Sequence, residues 1–256
     1  MDEAIASVYH RRPAHPAAVV DVMLSLLGDD GGAVLDAGCG TADLGRLLAD
    51  SVERVDAVDM SQAMLDAGRR LPGGDHPGLR WICARMEEAP LQPPYALVVA
   101  GDSLHWMDWD VVLPRLHAAL APGGRLAIVQ RNWGTRAPEE RELIRKYSTW
   151  QDYQPIDLVP ALTGRGLFRL EDWLRCANTW RPTIEEYVES RHAQSSLSRA
   201  MMDPSAAAAF DEELTALLRR LAAERRVRAR DGRLELPVVA DVGWGKPLPG
   251  RENGKA

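Results

Sequence analysis

The sequence predicts an α/β fold, a doubly wound and mostly parallel sheet, and three observations predict it. The first is the stretch Ala33-Val34-Leu35-Asp36-Ala37-Gly38-Cys39-Gly40-Thr41. There a short apolar strand runs into two glycines before Leu44, Leu47 and Leu48 restart the chain as an amphipathic helix. The second is the unbroken apolar run at residues 96–100, as a central strand covered on both faces requires. The third is the order of strand and helix signals from residue 33 to 130, which alternate at the spacing of βα units. A strand, a glycine turn and a helix make the nucleotide-binding corner of such a sheet. Glycine accepts positive φ there and lets a ligand approach the backbone.

The residues around that corner select the ligand. A dinucleotide fingerprint G-x-G-x-x-G needs a third glycine where Asp43 stands, and Gly45 comes too late. Asp36 lies at the strand tip, two residues before the first glycine. A carboxylate aimed into the crevice repels a pyrophosphate and suits an ammonium or a sulfonium, so S-adenosyl-L-methionine is expected rather than NAD. The run D-x-G-C-G-T, from Asp36 to Thr41, resembles motif I of the class I S-adenosylmethionine-dependent methyltransferases, with Ala42 where many members have a third glycine. The resemblance implies a Rossmann-like sheet of seven strands, the last antiparallel near the sheet edge, with a helical N-terminal lid and a helical insertion.

Composition narrows the class. The 256 residues are 46% hydrophobic and 27% charged, ordinary for one sizeable globular core with room for a cap. A net charge of −6 argues against a general nucleic-acid binder. Cys39, Cys83 and Cys176 lie far apart, which speaks against a disulfide framework or a zinc site. Met-Asp-Glu is the wrong charge to open a signal peptide, and no apolar run nears the roughly 20 residues of a membrane span. The expectation is a cytoplasmic monomer or homodimer with no metal and no membrane partner. Eight tryptophans against two phenylalanines hint at an aromatic-lined cavity.

In chain order, residues 1–12 read as extended or loosely helical, and Pro16 opens a helix that the glycines at 28, 31 and 32 end. By resemblance this segment packs over the cofactor pocket, with Tyr9 and Arg12 as contacts. A second strand ends at Asp59, roughly 20 residues beyond the glycine turn, where an acid hydrogen-bonds ribose hydroxyls. Met60 follows, placed against the adenine, and Ser61 caps the next helix. Residues 79–84 read as the third strand. Arg85 and Met86 then occupy a segment similar to the family's A-E-x-L-P, with Arg85 where many members have Asp and Met86 expected to act through its backbone.

The fourth strand ends at Ala100, expected beside the cofactor. The segment Ala100 to Asp108 is similar to the A-x-x-A-L-H-W-x-D of a subgroup that includes trans-aconitate methyltransferase-like enzymes. His105 there is the candidate general base, its ordinary pKa lying near neutrality, or else a histidine that only packs. Trp106 and Trp109 wall the pocket or fill core. A helix over residues 112–120 stops at Pro122-Gly123-Gly124, and residues 126–129 form the fifth strand. Arg131 and Trp133 leave it at the active-site edge as substrate contacts. Beyond lie a helix over 139–150, a turn through Tyr153 and Pro155, a sixth strand within 168–176, and a helix over 183–193. Asp203-Pro204 then opens another helix. Its arginines, interspersed with Glu212, Glu213 and Glu224, read as a solvated face. Residues 234–242 supply the last strand, where Pro237 is tolerable near an edge, and the chain frays after Pro247.

The boundaries read from this pattern are a lid at 1–30, a cofactor-binding core at 31–131, a helical cap with the sixth strand at 132–228, and a final strand and tail at 229–256. The expected activity is methyl transfer from S-adenosyl-L-methionine to a small molecule, leaving S-adenosyl-L-homocysteine. O-methylation of a carboxylate or hydroxyl is favoured over N- or C-methylation. A cofactor-binding protein of the same fold without methyl transfer, and an NAD-dependent oxidoreductase, are the alternatives.

Overall fold

The computed structural model describes residues 3–28, 31–151 and 156–249. The chain begins with α1 (Glu3–Val8), a 3-10 turn and α2 (Ala17–Leu27). There follow β1 (Ala33–Ala37), α3 (Gly45–Leu48), β2 (Arg54–Asp59), α4 (Gln62–Arg69), β3 (Leu79–Cys83), β4 (Tyr95–Gly101) and α5 (Trp109–Ala119). The second half comprises β5 (Leu120–Trp133), α6 (Pro138–Tyr147), α7 (Leu158–Gly164), β6 (Phe168–Trp180), α8 (Ile184–His192), α9 (Pro204–Ala223), β7 (Arg228–Arg230) and β8 (Arg233–Pro247). Among the described residues no helix is long and apolar enough to cross a membrane.

The strands run in the order β3-β2-β1-β4-β5-β8-β6, with β7 paired to β8 as a short hairpin. These are the seven expected strands and one three-residue addition. The ladders from β3 to β5 are parallel. Strand β8 is antiparallel: Asp241 meets Arg175, while Gly245 backs onto Arg169, so numbers fall along one strand as they rise along the other. It lies one place in from the edge, which β6 occupies. The sheet order reverses between β1 and β4, and this switch point leaves a crevice at the carboxyl ends of the two strands.

Two compact units divide the chain. The sheet unit comprises Pro16–Arg131, Pro155–Cys176 and Ala240–Ala256; the helical unit comprises Met1–His15, Asn132–Gln154 and Ala177–Val239. The division departs from the sequence boundaries at three places, one being that residues 229–239 fall in the helical unit. Helix α2 and the start of β6 belong with the sheet, because Val19, Met23 and Cys176 are buried with its strands.

Alternate strand residues feed two cores. Leu35, Val98, Ala100, Leu126 and Ile128 pack with Val112, Leu113 and Leu116 of α5 on one face. Val34, Leu97, Val99, Ala127 and Val129 pack with Val19 and Met23 of α2 on the other. This is why the strands read as unbroken apolar runs rather than alternations. In β6, Phe168 packs with the first face and Cys176 with the second, and between them the Trp173 N–H donates to the neighbouring Asp172 carboxylate at 2.8 Å.

In the helical unit Phe210, Leu214, Leu218 and Leu221 form one fully buried face of α9, each worth about 1.5–3 kcal/mol over exposure. Asp203 caps α9 through the N–H groups of Ser205 and Ala206, and Thr183 with Glu186 makes a capping box on α8. The solvated face bears Arg226–Glu139 and Lys146–Glu213 pairs.

Several local expectations change. Helix α3 is only four residues long and buries Leu44 and Leu48, whose i,i+4 spacing shares one face, while Leu47 is exposed. Strand β5 begins at Leu120, not Leu126, because the proline-glycine segment enters the ladder as a register shift between Tyr95 and Leu97. Leu248 is still tied to Leu167, so the chain does not fray directly after Pro247. The turn at Tyr153 and Pro155 lies outside the described residues.

Candidate active site

The crevice is built from the loops that follow β1, β2 and β4. Gly38 and Gly40 have φ of 69° and 58°, and Ala42 has φ of 53°. The resemblance places a glycine at Ala42, and the structure shows why: the backbone there is left-handed, at roughly 1 kcal/mol to a residue with a Cβ. A Cβ on Gly38 would meet Ser103 Cβ at 2.6 Å, so the β1 and β4 loops approach to backbone distance. Ser103 Oγ donates to the Ala37 carbonyl at 2.6 Å and fastens the two strand ends together.

The two acids stand at neighbouring strand tips and hold the same loop. Asp36 is buried, and its carboxylate accepts from Gly45 N at 3.0 Å. It therefore faces the first turn of α3 rather than open crevice, which differs from the expected aim. A Cβ at Gly45 would lie 2.9 Å from that oxygen, so the glycine dismissed as too late in sequence is required by the acid. Burial, only partly offset by the Gly45 hydrogen bond, pushes the Asp36 carboxyl up to about 7. Asp59 accepts from Gly40 N and Ser61 N, both at 2.8 Å, and burial outweighs these bonds and raises its pKa too. Each of its oxygens keeps a lone pair for a further donor.

The other expected contacts separate by exposure. Met60 is 58% exposed beside Asp59, and Arg85 is an exposed side chain 3.5 Å from Glu87. Met86 and Ala100 are core residues, buried with α5, so their side chains are turned inward and only their backbones remain to meet a ligand. His105 and Trp106 sit on a 3-10 turn after β4 with ring centroids 4.8 Å apart, and Trp106 is half exposed. Trp109 instead fills core, donating to the Leu104 carbonyl at 2.8 Å. Trp81 donates to Gly74 and Trp173 stands on β6, so the tryptophans are spread among structural places rather than gathered round one cavity. Arg131 is buried, its Nε 3.5 Å from Asp102 Oδ2, while its backbone N–H donates to Asp102 Oδ1 at 2.8 Å. This points to bracing of the β4 and β5 ends.

Asp102 escaped sequence reasoning. It has φ of 52°, a conformation that Asp tolerates better than most residues, and it ties the β4 loop to β5. Its place directly after Gly101 at the end of a central strand was the available signal.

Within the helical unit, Arg12 lies 4.3 Å over the Tyr9 ring and 5.7 Å from the Trp133 ring centroid. Arg191 approaches the same indole at 5.6 Å. Buried Glu140 accepts from Arg191, from Tyr187 and from the Thr135 N–H and hydroxyl. Burial raises the Glu140 pKa, but the Arg191 charge and these hydrogen bonds outweigh it and hold the carboxyl below its ordinary value.

With that geometry in hand, similarity to known proteins is specific. Residues 34–124 match the family described as a methyltransferase domain. The chain is 30% identical to malonyl-[acyl-carrier protein] O-methyltransferase from Alcanivorax borkumensis, over 61% of its own length and 53% of the relative's. It is 36% identical to trans-aconitate 2-methyltransferase from Paracidovorax citrulli, over 55% of its own length and 53% of the relative's. It thus spans about half the length of the curated relatives it matches. In fold it resembles a structure described as a type II methyltransferase from Anaeromyxobacter dehalogenans, with a TM-score of 0.66 at 22% identity, covering 93% of this chain and 99% of that one.

Proposed function

We propose that this chain is a class I S-adenosylmethionine-dependent methyltransferase that transfers a methyl group from S-adenosyl-L-methionine to a small carboxylic acid or alcohol, O-methylation of a carboxylate being favoured. One observation carries the reading: a glycine loop at the β1/β4 switch point whose own N–H is held by Asp59, with a second buried acid, Asp36, behind it. Three acids, Asp36, Asp43 and Asp59, surround this loop, a poor setting for a pyrophosphate and a suitable one for a cation and a ribose diol. The relatives support the acceptor class, since both are named for acceptors that carry carboxylates.

In this reading Gly38 and Gly40 admit the methionine end of the cofactor, Asp59 holds the ribose, and Met60, Arg85 and the Met86 backbone border the adenine. The Ala100 backbone closes the floor. The bound cofactor supplies a methyl group already activated on a sulfonium. The chain's task is then placement of the acceptor, a contribution that effective molarity makes large. His105 accepts a proton if the acceptor is a hydroxyl and only positions it if the acceptor is a carboxylate, which arrives deprotonated. Trp106 offers an apolar wall beside it. Arg131, fixed by Asp102, keeps the strand ends in place.

Calorimetric titration with S-adenosyl-L-homocysteine and with NADH tests this. Micromolar binding of the former is expected, weakened about 30-fold in Asp59→Ala through loss of a charge-assisted pair of hydrogen bonds. Binding of NADH instead would overturn the cofactor assignment. Cofactor binding with no methyl transfer to any acid or alcohol would leave the non-methylating alternative.

A further inference from the structure

The mouth of the crevice in the sheet unit is bridged by a side chain. The ladder between β1 and β4 runs from Val34 and Leu97 to Asp36 and Val99. On either side pairing goes further, to Ala37 and Val58 between β1 and β2, and to Gly101 and Val129 between β4 and β5. The two central strands therefore part first, as they do at a switch point where their loops leave in opposite directions. Ser103 lies beyond the end of β4, yet its hydroxyl returns across the opening and donates to the Ala37 carbonyl at 2.6 Å.

Two features make that return possible. Asp102 reverses the chain with a left-handed φ of 52°. It is pinned to β5 through its own N–H on the Val129 carbonyl at 2.9 Å and through Oδ1, which accepts from Arg131 N at 2.8 Å. Gly38 leaves the room: a Cβ there would stand 2.6 Å from Ser103 Cβ and 2.8 Å from Met107 Cε. A tie that served stability alone needs neither, since one more ladder bond between the strands would join them without a left-handed aspartate. Ser103 is instead buried where two loops meet. One is the glycine loop that the proposed function gives to the methyl donor. The other is the 3-10 turn Leu104–Trp106, which carries His105 and Trp106.

We propose that Ser103 is a positioning residue for methyl transfer: by holding the Ala37 carbonyl it sets the separation between the donor loop and the turn that presents His105 and Trp106 to the acceptor. This rests on the methyltransferase reading above. In the transfer a lone pair of the acceptor oxygen forms the new C–O bond as the C–S bond breaks, and the bonding pair stays on sulfur. A carboxylate acceptor releases no proton, and a hydroxyl gives its proton to His105. Ser103 exchanges neither proton nor electron pair. It acts on the in-line distance, to which such a displacement is steeply sensitive, about 100-fold for a misplacement of about 1 Å. Because Ala37 is the stem of the glycine loop, a ligand that stills the loop also stills the turn, through Ser103.

Hydrogen exchange on the full chain, with and without saturating S-adenosyl-L-homocysteine, reads that link and needs no acceptor. In the wild type the ligand is expected to slow exchange of the Trp106 and Met107 N–H groups, which bond within the turn, about 10-fold. In Ser103→Ala, which keeps the Cβ packed on Gly38, the slowing is expected to vanish while calorimetric affinity for the ligand stays within about 3-fold. With trans-aconitate as the probe acid, kcat is expected to fall about 30-fold with KM for S-adenosyl-L-methionine little changed. Where the wild type leaves this acid unmethylated, the exchange comparison alone decides. Ser103→Cys retains a weak donor, is expected to recover part of both effects, and carries the test if Ser103→Ala fails to fold. Trp81→Phe likewise strips a backbone carbonyl, that of Gly74, of its side-chain donor; it controls for lost stability and is expected to keep the slowing. No slowing in the wild type, slowing that persists in Ser103→Ala, its loss in Trp81→Phe as well, or an unchanged kcat would each overturn the inference and leave the cofactor reading standing. A wild type that binds no S-adenosyl-L-homocysteine would remove that reading itself.

Discussion

Glu140 of the helical unit and the two crevice acids of the sheet unit are buried carboxylates whose charge is treated in opposite ways. Asp56 of the sheet unit sides with Glu140, being ion-paired to Arg54 and Arg80 as Glu140 is to Arg191. In the helical unit Glu140 is met by Arg191, Tyr187 and Thr135, and its pKa falls. In the sheet unit Asp36 and Asp59 are held only by backbone N–H groups, without an ion pair among the described residues, and their pKa values rise. The first arrangement is closed: every strong acceptor has its donor. The second is incomplete, and an incompletely compensated buried acid is costly to a fold unless something else answers it. The difference separates a carboxylate that holds the fold together from the two that the proposed function assigns to the cofactor.

The contrast is tested most severely by breaking the closed pair. Glu140→Leu strands the Arg191 charge and is expected to cost about 3–5 kcal/mol, read from the urea midpoint, with much of the loss recovered in Glu140→Leu/Arg191→Met. Asp36→Asn should do the reverse. Because the folded pKa of Asp36 lies above its unfolded value, the native state holds the extra proton between about pH 4 and 7. Stability therefore falls as pH rises through that window, and the cost is fully present above pH 7. Asparagine can still accept from Gly45 N, so Asp36→Asn is expected to raise stability at pH 8 by about 2–4 kcal/mol while weakening cofactor binding. If it destabilises instead, Asp36 is structural and the contrast collapses.

Two smaller effects sharpen the picture. With a carboxylate acceptor, His105→Asn is expected to lower kcat less than about 10-fold and to leave its pH profile unchanged, whereas a hydroxyl acceptor would show a loss of about 100-fold. Ala42→Gly relieves a left-handed alanine and is expected to stabilise the chain by about 0.5–1 kcal/mol in thermal melts.

The β1 corner of the sheet unit was legible in the sequence because its requirements are local. Strand, glycine turn and helix write themselves into a dozen consecutive residues, and parallel strands buried on both faces read as apolar runs. The acids at positions 36 and 59 were visible as residues, but not the direction in which Asp36 turns, since that depends on Gly45 of the following helix. The Glu140–Arg191–Tyr187 network was invisible: its members lie about 50 residues apart and come together only when α6 meets α8. The same holds for Arg12, whose meaning depends on a carbonyl 181 residues away. Ala100 and Met86 show the converse limit. Strand parity turns the Ala100 side chain into the core, and the turn after β3 buries that of Met86, neither of which the motif discloses.

The charged side chains along β6 have a consequence for the protein in a crowded solution. A 13-residue border strand with Leu170, Trp173 and Leu174 exposed is the sort of segment on which other chains polymerise. The Asp172 carboxylate occupies the Trp173 N–H, and Arg169, Glu171 and Arg175 flank the apolar side chains. The chain thus keeps a long strand for packing against β8 while the charges along it deny neighbours an apolar template.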